Sequence, residues 1–321
     1  MLNLKSAIST LCLLALAPQG AHAGVIDLGS MMGGANIYTL NNFSATGSAV
    51  EGALVAGGNV NIANYSVNGM NRDAYGATGY AVVAGNNLTL KGGSINNGAA
   101  YAGGATSLSN AAAPQASGVK PIDFAASAAY YSALSAGLST VAATGSVARL
   151  YSGVKVTGSG VGNAGGVDVF NVSSEMFRTS SSWTLDKLTA GQTLVFNVSG
   201  GSATFNDGGI SFDQLGAYNV LFNFFEATDL NIKGVIGSVL APKATVSAAS
   251  GAVTGQVVVG NWASGMAVKS DHYFTATQLA GFSMGTQEAI AAVPAPGTIA
   301  LMLGGLGVLG LARRRRAGGA A

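Results

Sequence analysis

Val50-Glu51-Gly52-Ala53-Leu54-Val55-Ala56-Gly57-Gly58-Asn59-Val60-Asn61-Ile62 is answered by Thr78-Gly79-Tyr80-Ala81-Val82-Val83-Ala84-Gly85-Asn86-Asn87-Leu88-Thr89-Leu90. A worn third copy follows, Asn97-Gly98-Ala99-Ala100-Tyr101-Ala102-Gly103-Gly104-Ala105-Thr106-Ser107-Leu108. Each copy has the form strand, glycine turn, strand, with apolar residues alternating after the turn, first Val60 and Ile62, then Leu88 and Leu90. Gly52, Gly79 and Gly98 recur after 27 and then 19 residues. A similar phrase returns late, from Lys233-Gly234-Val235-Ile236-Gly237 through Ala241-Pro242 to Val246, and again over Thr254-Gly255-Gln256-Val257-Val258-Val259-Gly260-Asn261. Short strands and small-residue corners at a period of about 20 to 27 residues predict a mainly β body built as a stacked β-solenoid. A β-sandwich also uses short strands and glycine turns and is the alternative.

Between these blocks lies one segment of helical period. Pro121 and Asp123 suit a first turn, since proline needs no donor there and a carboxylate complements the N-terminal dipole. Phe124, Ala128, Tyr131, Leu134, Leu138 and Val141 then recur at spacings of three and four. The opposite face is serine and alanine. The spacing predicts one long helix over about 121–143, packed along the β-body, with its aromatics in the core. Further strands are expected at Val167 to Val172, Thr193 to Val198 and Tyr218 to Phe225. The last is nearly continuous in apolar residues from Val220, as a strand buried on both faces would be.

The two ends have a different character. Lys5 and the apolar run Leu11 to Ala17 precede Ala21-His22-Ala23, a small-x-small pattern that signal peptidase cuts. The expectation is a signal peptide over 1–23 and a mature N-terminus at Gly24. The only cysteine, Cys12, falls inside that signal, at the start of the apolar run and behind a poor lipobox, so lipidation is rejected. The mature chain is then free of thiols and disulfides. Of the 15 Lys and Arg, Lys5 lies in the signal and Arg313, Arg314, Arg315 and Arg316 lie at the far end. That leaves 10 basic against 13 acidic residues in the exported part, a net charge of −3. The overall basic balance belongs to the tail, and nothing electrostatic points to nucleic acid.

The tail, 293–321, opens with Val293-Pro294-Ala295-Pro296-Gly297-Thr298 and continues as the apolar stretch Ile299 to Ala312, followed at once by the four arginines. A helix from Gly297 would be about 24 Å long, against roughly 30 Å of hydrocarbon. Snorkelling arginines and a thinned bilayer allow a transmembrane helix, with the arginines on the cytoplasmic side. Order and position here resemble the PEP-CTERM sorting signal, a Pro-x-Pro motif, an apolar helix and a terminal arginine cluster. The central Glu of that motif is Ala295 in this chain. The resemblance implies a Gram-negative bacterium that makes exopolysaccharide. It also implies an exosortase-like transpeptidase that cuts near Pro294 to Pro296 and releases or transfers the ectodomain. A permanent single-span anchor is the other reading.

The ectodomain, 24–292, is similar to the choice-of-anchor A domain. The likeness is carried by the phrase Gly52 to Ile62, by Pro121-Ile122-Asp123-Phe124, and by Phe222-Asn223-Phe224 through Gly234 to Pro242. Members of that family are regarded as surface adhesins with alternative anchoring tails. A β-body with one accompanying helix also resembles the ice-binding β-solenoid family in architecture.

Catalytic constellations are hard to find. His272, in Ser270-Asp271-His272-Tyr273, is the lone histidine of the mature part and is expected to be structural. Glu226 and Asp229 straddle a strand end and have the makings of a carboxylate pair for sugar chemistry, but a solvated turn is the plainer account. Asn206-Asp207-Gly208-Gly209 lacks the full EF-hand pattern and is expected to be a turn. Asn42, Asn64, Asn87, Asn171 and Asn197 open Asn-x-Ser/Thr triplets, expected to mark exposure at most. No catalytic, cofactor-binding or metal residue is assigned.

The expectation is a non-enzymatic, exported surface protein. Its partners would be signal peptidase, an exosortase-like transpeptidase, the inner membrane as a transient anchor, and an exopolysaccharide matrix. Alternatives are an ice- or crystal-binding surface, for which Thr39, Thr46, Thr78, Thr89 and Thr106 are irregularly spaced, and a polysaccharide-modifying enzyme.

Overall fold

The computed structural model describes residues 23–71, 79–113, 120–160, 165–205, 211–248 and 250–284. The chain divides into two compact units, Met1–Ser283 and Met284–Ala321. All elements below lie in the first. The signal segment (apart from Ala23), the sorting tail with its apolar stretch, and Asn206 to Gly209 lie outside the described residues.

The fold is mainly β, with 24 strands and two α-helices among the described residues. Its strands are short and run in parallel ladders. The first ladder takes, in spatial order, Val167–Ser173, Thr193–Ser199, Asn219–Asn223, 238–240, 257–259, Ile37–Thr39, Leu54–Ala56, Tyr80–Ala84 and Ala99–Ala102. A second takes Ser202–Phe205, Asp229–Ile232, 245–246, 261–263, Phe43–Thr46, 60–63, 88–91 and Thr106–Ser109. A third takes Gly234–Ile236, Ala252–Thr254, Ala267–Lys269, Ala49–Val50, 65–67 and 93–95.

Spatial order departs from chain order at one place. The strand at 257–259 pairs with Ile37–Thr39, through Ile37↔Val257 and Thr39↔Val259, and Ile37–Thr39 pairs in turn with Leu54–Ala56. The C-terminal half of the chain therefore stacks beneath the N-terminal half. Each half would otherwise present a row of unpaired peptide groups, and the seam satisfies both. Phe43 and Trp262, stacked at 6.1 Å with an interplanar angle of 3°, fill the core across it.

Register carries the core. Phe170, Phe196 and Phe222 are paired positions, and their rings stack inside at 4.9 and 5.0 Å between centroids. Phe177, Trp183 and Phe212 pack edge-on around that stack. The expected alternation holds, since Val60 pairs with Leu88 and Ile62 with Leu90, all buried. The repeated glycine corner has a steric cause. A Cβ on Gly85 would lie 2.1 Å from the Gly57 carbonyl oxygen, and one on Gly57 would lie 2.3 Å from that of Leu40. Neighbouring strands approach through these corners, and only hydrogen fits.

The helix α1 spans Phe124–Ser139, shorter than the expected 121–143. Pro121 and Ile122 precede it. Asp123 is its N-cap, its carboxylate accepting from the backbone N–H groups of Ala125 (3.0 Å) and Ala126 (3.1 Å). Val141 lies beyond its C-cap, Thr140. The helix lies on the outer side of the first ladder, with Phe124 beside Gly57 and Gly85 at one end and the Leu138 carbonyl accepting from Asn197 at the other. Those contacts span six strand spacings, roughly 29 Å, and sixteen helical residues cover about 24 Å plus end side chains. Under the helix the strand Asn219–Asn223 is therefore buried on both faces, as the apolar run from Val220 required.

One end of the stack is closed. Val169 accepts from the N–H groups of Thr144 (2.9 Å) and Gly145 (3.1 Å). Nearby, a small sheet of Ser146–Leu150, Gly153–Thr157 and Trp183–Asp186 follows, with the short helix α2 (Ser174–Arg178). At the other end all four residues of Thr106–Ser109 are exposed. Gly24–Ile26 pairs antiparallel with Thr277–Leu279, and the Gly24 N–H donates to the Phe282 carbonyl at 3.0 Å, so the two described ends of the chain are fastened together.

Candidate functional site: the polar face of the stack

Among the described residues nothing covers the outer side of the second ladder. Its inward column runs Leu230, Val246, Trp262, Phe43, Val60 and Leu88. Between these apolar positions the same strands turn polar or small residues outward, because strand side chains alternate. One outward row is Ala263, Ser44, Asn61, Thr89 and Ser107; the next is Thr46, Ala63, Lys91 and Ser109. All are exposed except Ala63 and Thr89, which are half-buried. Parallel pairing repeats each row at the strand spacing of roughly 4.8 Å.

A ladder of asparagines pins this face along one edge. Asn261 Oδ1 accepts from the N–H of Asn42 (3.2 Å), Asn42 Oδ1 from that of Asn59 (2.9 Å), Asn59 Oδ1 from that of Asn87 (3.2 Å), and Asn87 Oδ1 from that of Ala105 (2.8 Å). Each amide satisfies the corner donor beside the neighbouring strand, which holds the strands in register and keeps the rows straight. These two rows carry one charged side chain, Lys91. It is suited to many weak hydrogen bonds with an extended polar surface.

The threonines do not make one row. Thr39 is buried in the first ladder, Thr46, Thr89 and Thr106 sit in different rows of the second, and Thr78 lies outside the described residues. The asparagine triplets are not simply exposed either. Asn42 and Asn87 belong to the corner ladder, and Asn197 is 2% exposed.

The candidate chemical groups fall elsewhere and apart. Glu226 Oε2 accepts from the Gly200 N–H at 2.9 Å, while Asp229 Oδ2 accepts from the Thr228 hydroxyl at 3.2 Å. Each carboxylate serves its own turn. His272 Nε2 lies 2.7 Å from the Tyr218 carbonyl and so donates to it. Among the described residues no three His, Cys, Asp or Glu side chains gather where they could hold a metal ion. Arg178 holds the Glu175 carboxyl below its usual range, and Lys155 does so for Asp186. Burial raises the Tyr65 and Tyr130 phenols. None of these four lies in the exposed rows. Of the expected processing residues only Ala23 is described; Ala21, the motif Val293 to Gly297 and the four arginines lie outside. No helix among the described residues is long and apolar enough to cross a membrane.

A second asparagine ladder went unnoticed in the sequence. Asn171, Asn197 and Asn223 are paired positions on the outer side of the first ladder, where Asn197 and Asn223 fasten α1 to the sheet. Their spacing, 26 residues twice, was the available signal.

Residues 30–270 match the family described as "Putative Ice-binding-like adhesive domain", and residues 292–316 match the PEP-CTERM protein-sorting motif. The match does not name the choice-of-anchor A family. No curated protein and no solved structure matches the chain. The sorting motif is a mark of exported, membrane-transiting proteins. The family match covers far more than half of the 321 residues, and the chain belongs to the ice-binding-like adhesive domain family.

Proposed function

We propose that the body is a β-solenoid acting as a non-enzymatic adhesion module on the surface of a Gram-negative bacterium, of the choice-of-anchor A type. Export begins with signal peptidase at Ala23 and a tail-anchored precursor in the inner membrane. An exosortase-like transpeptidase cuts the tail near Pro294 to Pro296 and delivers the ectodomain to the outer surface or the exopolysaccharide matrix. The observation that carries this reading is the uncovered second ladder, with its straight rows of Ser, Thr, Asn and Ala. Each rung offers a weak bond, and many in register give useful avidity to an extended polymer.

The test is retention of the full-length protein on matrix polysaccharide isolated from the native host. Asn61→Tyr with Thr89→Tyr should lower retention about tenfold, and unchanged retention with an unchanged melting curve sinks the reading. Mass spectrometry of the cell-surface fraction should find a C-terminus near residues 294–296. A chain still ending in the arginines, in the inner membrane, would make it a periplasmic anchored protein instead.

The family match favours one second reading, an ice- or crystal-binding face. Lys91 interrupts the row that such a lattice would need. Absence of ice shaping at micromolar protein removes this reading.

A further inference from the structure

The second asparagine ladder is covered by α1 only in part. Asn223 is fully buried under the helix and Asn197 nearly so, but α1 ends at Ser139 and leaves the last rung, Asn171, exposed. Beyond the helix end lies a shallow cavity of about 300 Å³, bordered by Ser139, Asn171, Ser173, Ser199 and Phe225. A second cavity of about 90 Å³ shares Ser139 and Phe225 with it and runs on to Pro242 and Lys243. The two make one groove around the half-exposed ring of Phe225.

The chemistry of that groove is specific. Asn171 Oδ1 accepts from Asn197 Nδ2 at 3.1 Å, which fixes the amide and leaves its own NH₂ donors to a ligand. The Ser173 hydroxyl precedes α2 without capping it. Lys243 is exposed and has no ion-pair partner among the described residues, and none of the residues lining the two cavities is acidic. A fixed amide, the Ser173 hydroxyl, an aromatic ring and the Lys243 ammonium together suit a pyranose that bears a carboxylate. Its apolar ring face would lie on Phe225, its hydroxyls would bond Asn171 and Ser173, and its carboxylate would pair with Lys243.

We propose that this groove at the C-terminal end of α1 is a binding subsite for an acidic polysaccharide, with Phe225 as the stacking platform. The site is separate from the uncovered second ladder and does not rest on that face being adhesive.

Native gel electrophoresis of the full-length protein in detergent, through gels cast with alginate or with neutral hydroxyethylcellulose, tests it. Alginate should retard the protein and hydroxyethylcellulose should not. Asn171→Ala, Phe225→Leu and Lys243→Gln should each weaken alginate retention at least fivefold, with melting curves close to the parent's. Tyr151→Ser, at an exposed ring outside both the groove and the second ladder, should leave it unchanged. Retention that survives all three groove variants overturns the proposal, as does retention lost only in the Asn61/Thr89 variant. Equal retardation by the neutral polymer overturns the acidic assignment, and so does no retardation by alginate at several milligrams per millilitre.

Discussion

Replacing Asn223 by alanine should loosen α1 from the sheet, and the cost follows from three bonds. Asn223 Nδ2 donates to the Ser135 carbonyl and to Asn197 Oδ1, each at 2.9 Å, and Asn223 Oδ1 accepts from the Ser135 hydroxyl at 2.6 Å. Asn223 is 0% exposed, and Ser135 and Asn197 are each 2% exposed, so water cannot replace the amide. Three buried bonds at roughly 1 kcal/mol net each, with partners left unpaired, give a loss of about 3–5 kcal/mol. For a unit of this size each kcal/mol shifts the melting point by about 2–4 °C, so the drop should be about 10 °C. The assay is calorimetric melting of the full-length protein, with hydrogen exchange over Phe124–Ser139. Exchange should accelerate in the helix more than in the Trp262 strand, because the ladder fastens the helix and not the seam. Asn171→Ala removes only one bond at an exposed rung and should cost no more than about 1 kcal/mol. A melting point for Asn223→Ala within 2 °C of the parent, with helix exchange unaltered, would refute the claim that this ladder holds α1.

Three further perturbations test other links. Gly85→Ala places a methyl against the Gly57 carbonyl, and the coils must part there; a destabilisation of about 2–3 kcal/mol is expected by denaturant titration, and a neutral effect would mean the corner is not close-packed. Trp262→Ala empties the seam between the two halves and should cost about 3–5 kcal/mol, with protease cutting between the halves before either half is digested. Tyr65 is buried, its hydroxyl donating to the Met266 carbonyl at 3.1 Å, and burial raises its phenol above the ordinary value of 10.0. The folded state thus favours the protonated form. That contribution is whole below the unfolded value of about 10 and falls as pH rises above it. Melting should decline from pH 10 upward in the parent and less steeply in Tyr65→Phe, whereas parallel declines would assign the alkaline loss to other groups.

The site was only partly legible in advance. Asn61 and Thr89 stood in the quoted repeats as outward positions, since Ile62 and Leu88 beside them had to face in. The groove around Phe225 was not visible, because its lining comes from α1 and from strands 26 residues apart that meet only after the coils stack. Asn171 and Asn197 open Asn-x-Ser/Thr triplets, and the 26-residue period joining them to Asn223 gains its meaning only once the strands pair. His272 stands alone in the sequence, and only the fold brings its ring to the Tyr218 carbonyl.

The sequence by itself determined the mainly β character, the presence of one long helix after Pro121, the glycine corners and the alternation that separates core from surface. These are local properties: each follows from the residue's own backbone preference or from neighbours two to four positions away. Only the tertiary structure decided the order in which the strands stack. The strand at 257–259 pairs with the one at 37–39, and no repeat in the chain announces that contact, because any parallel edge of matching width can accept any other. What selects the partner is the fit of Trp262 on Phe43 and the shape of the groove that α1 fills. Both are properties of the assembled core, spread across residues more than two hundred positions apart in the chain.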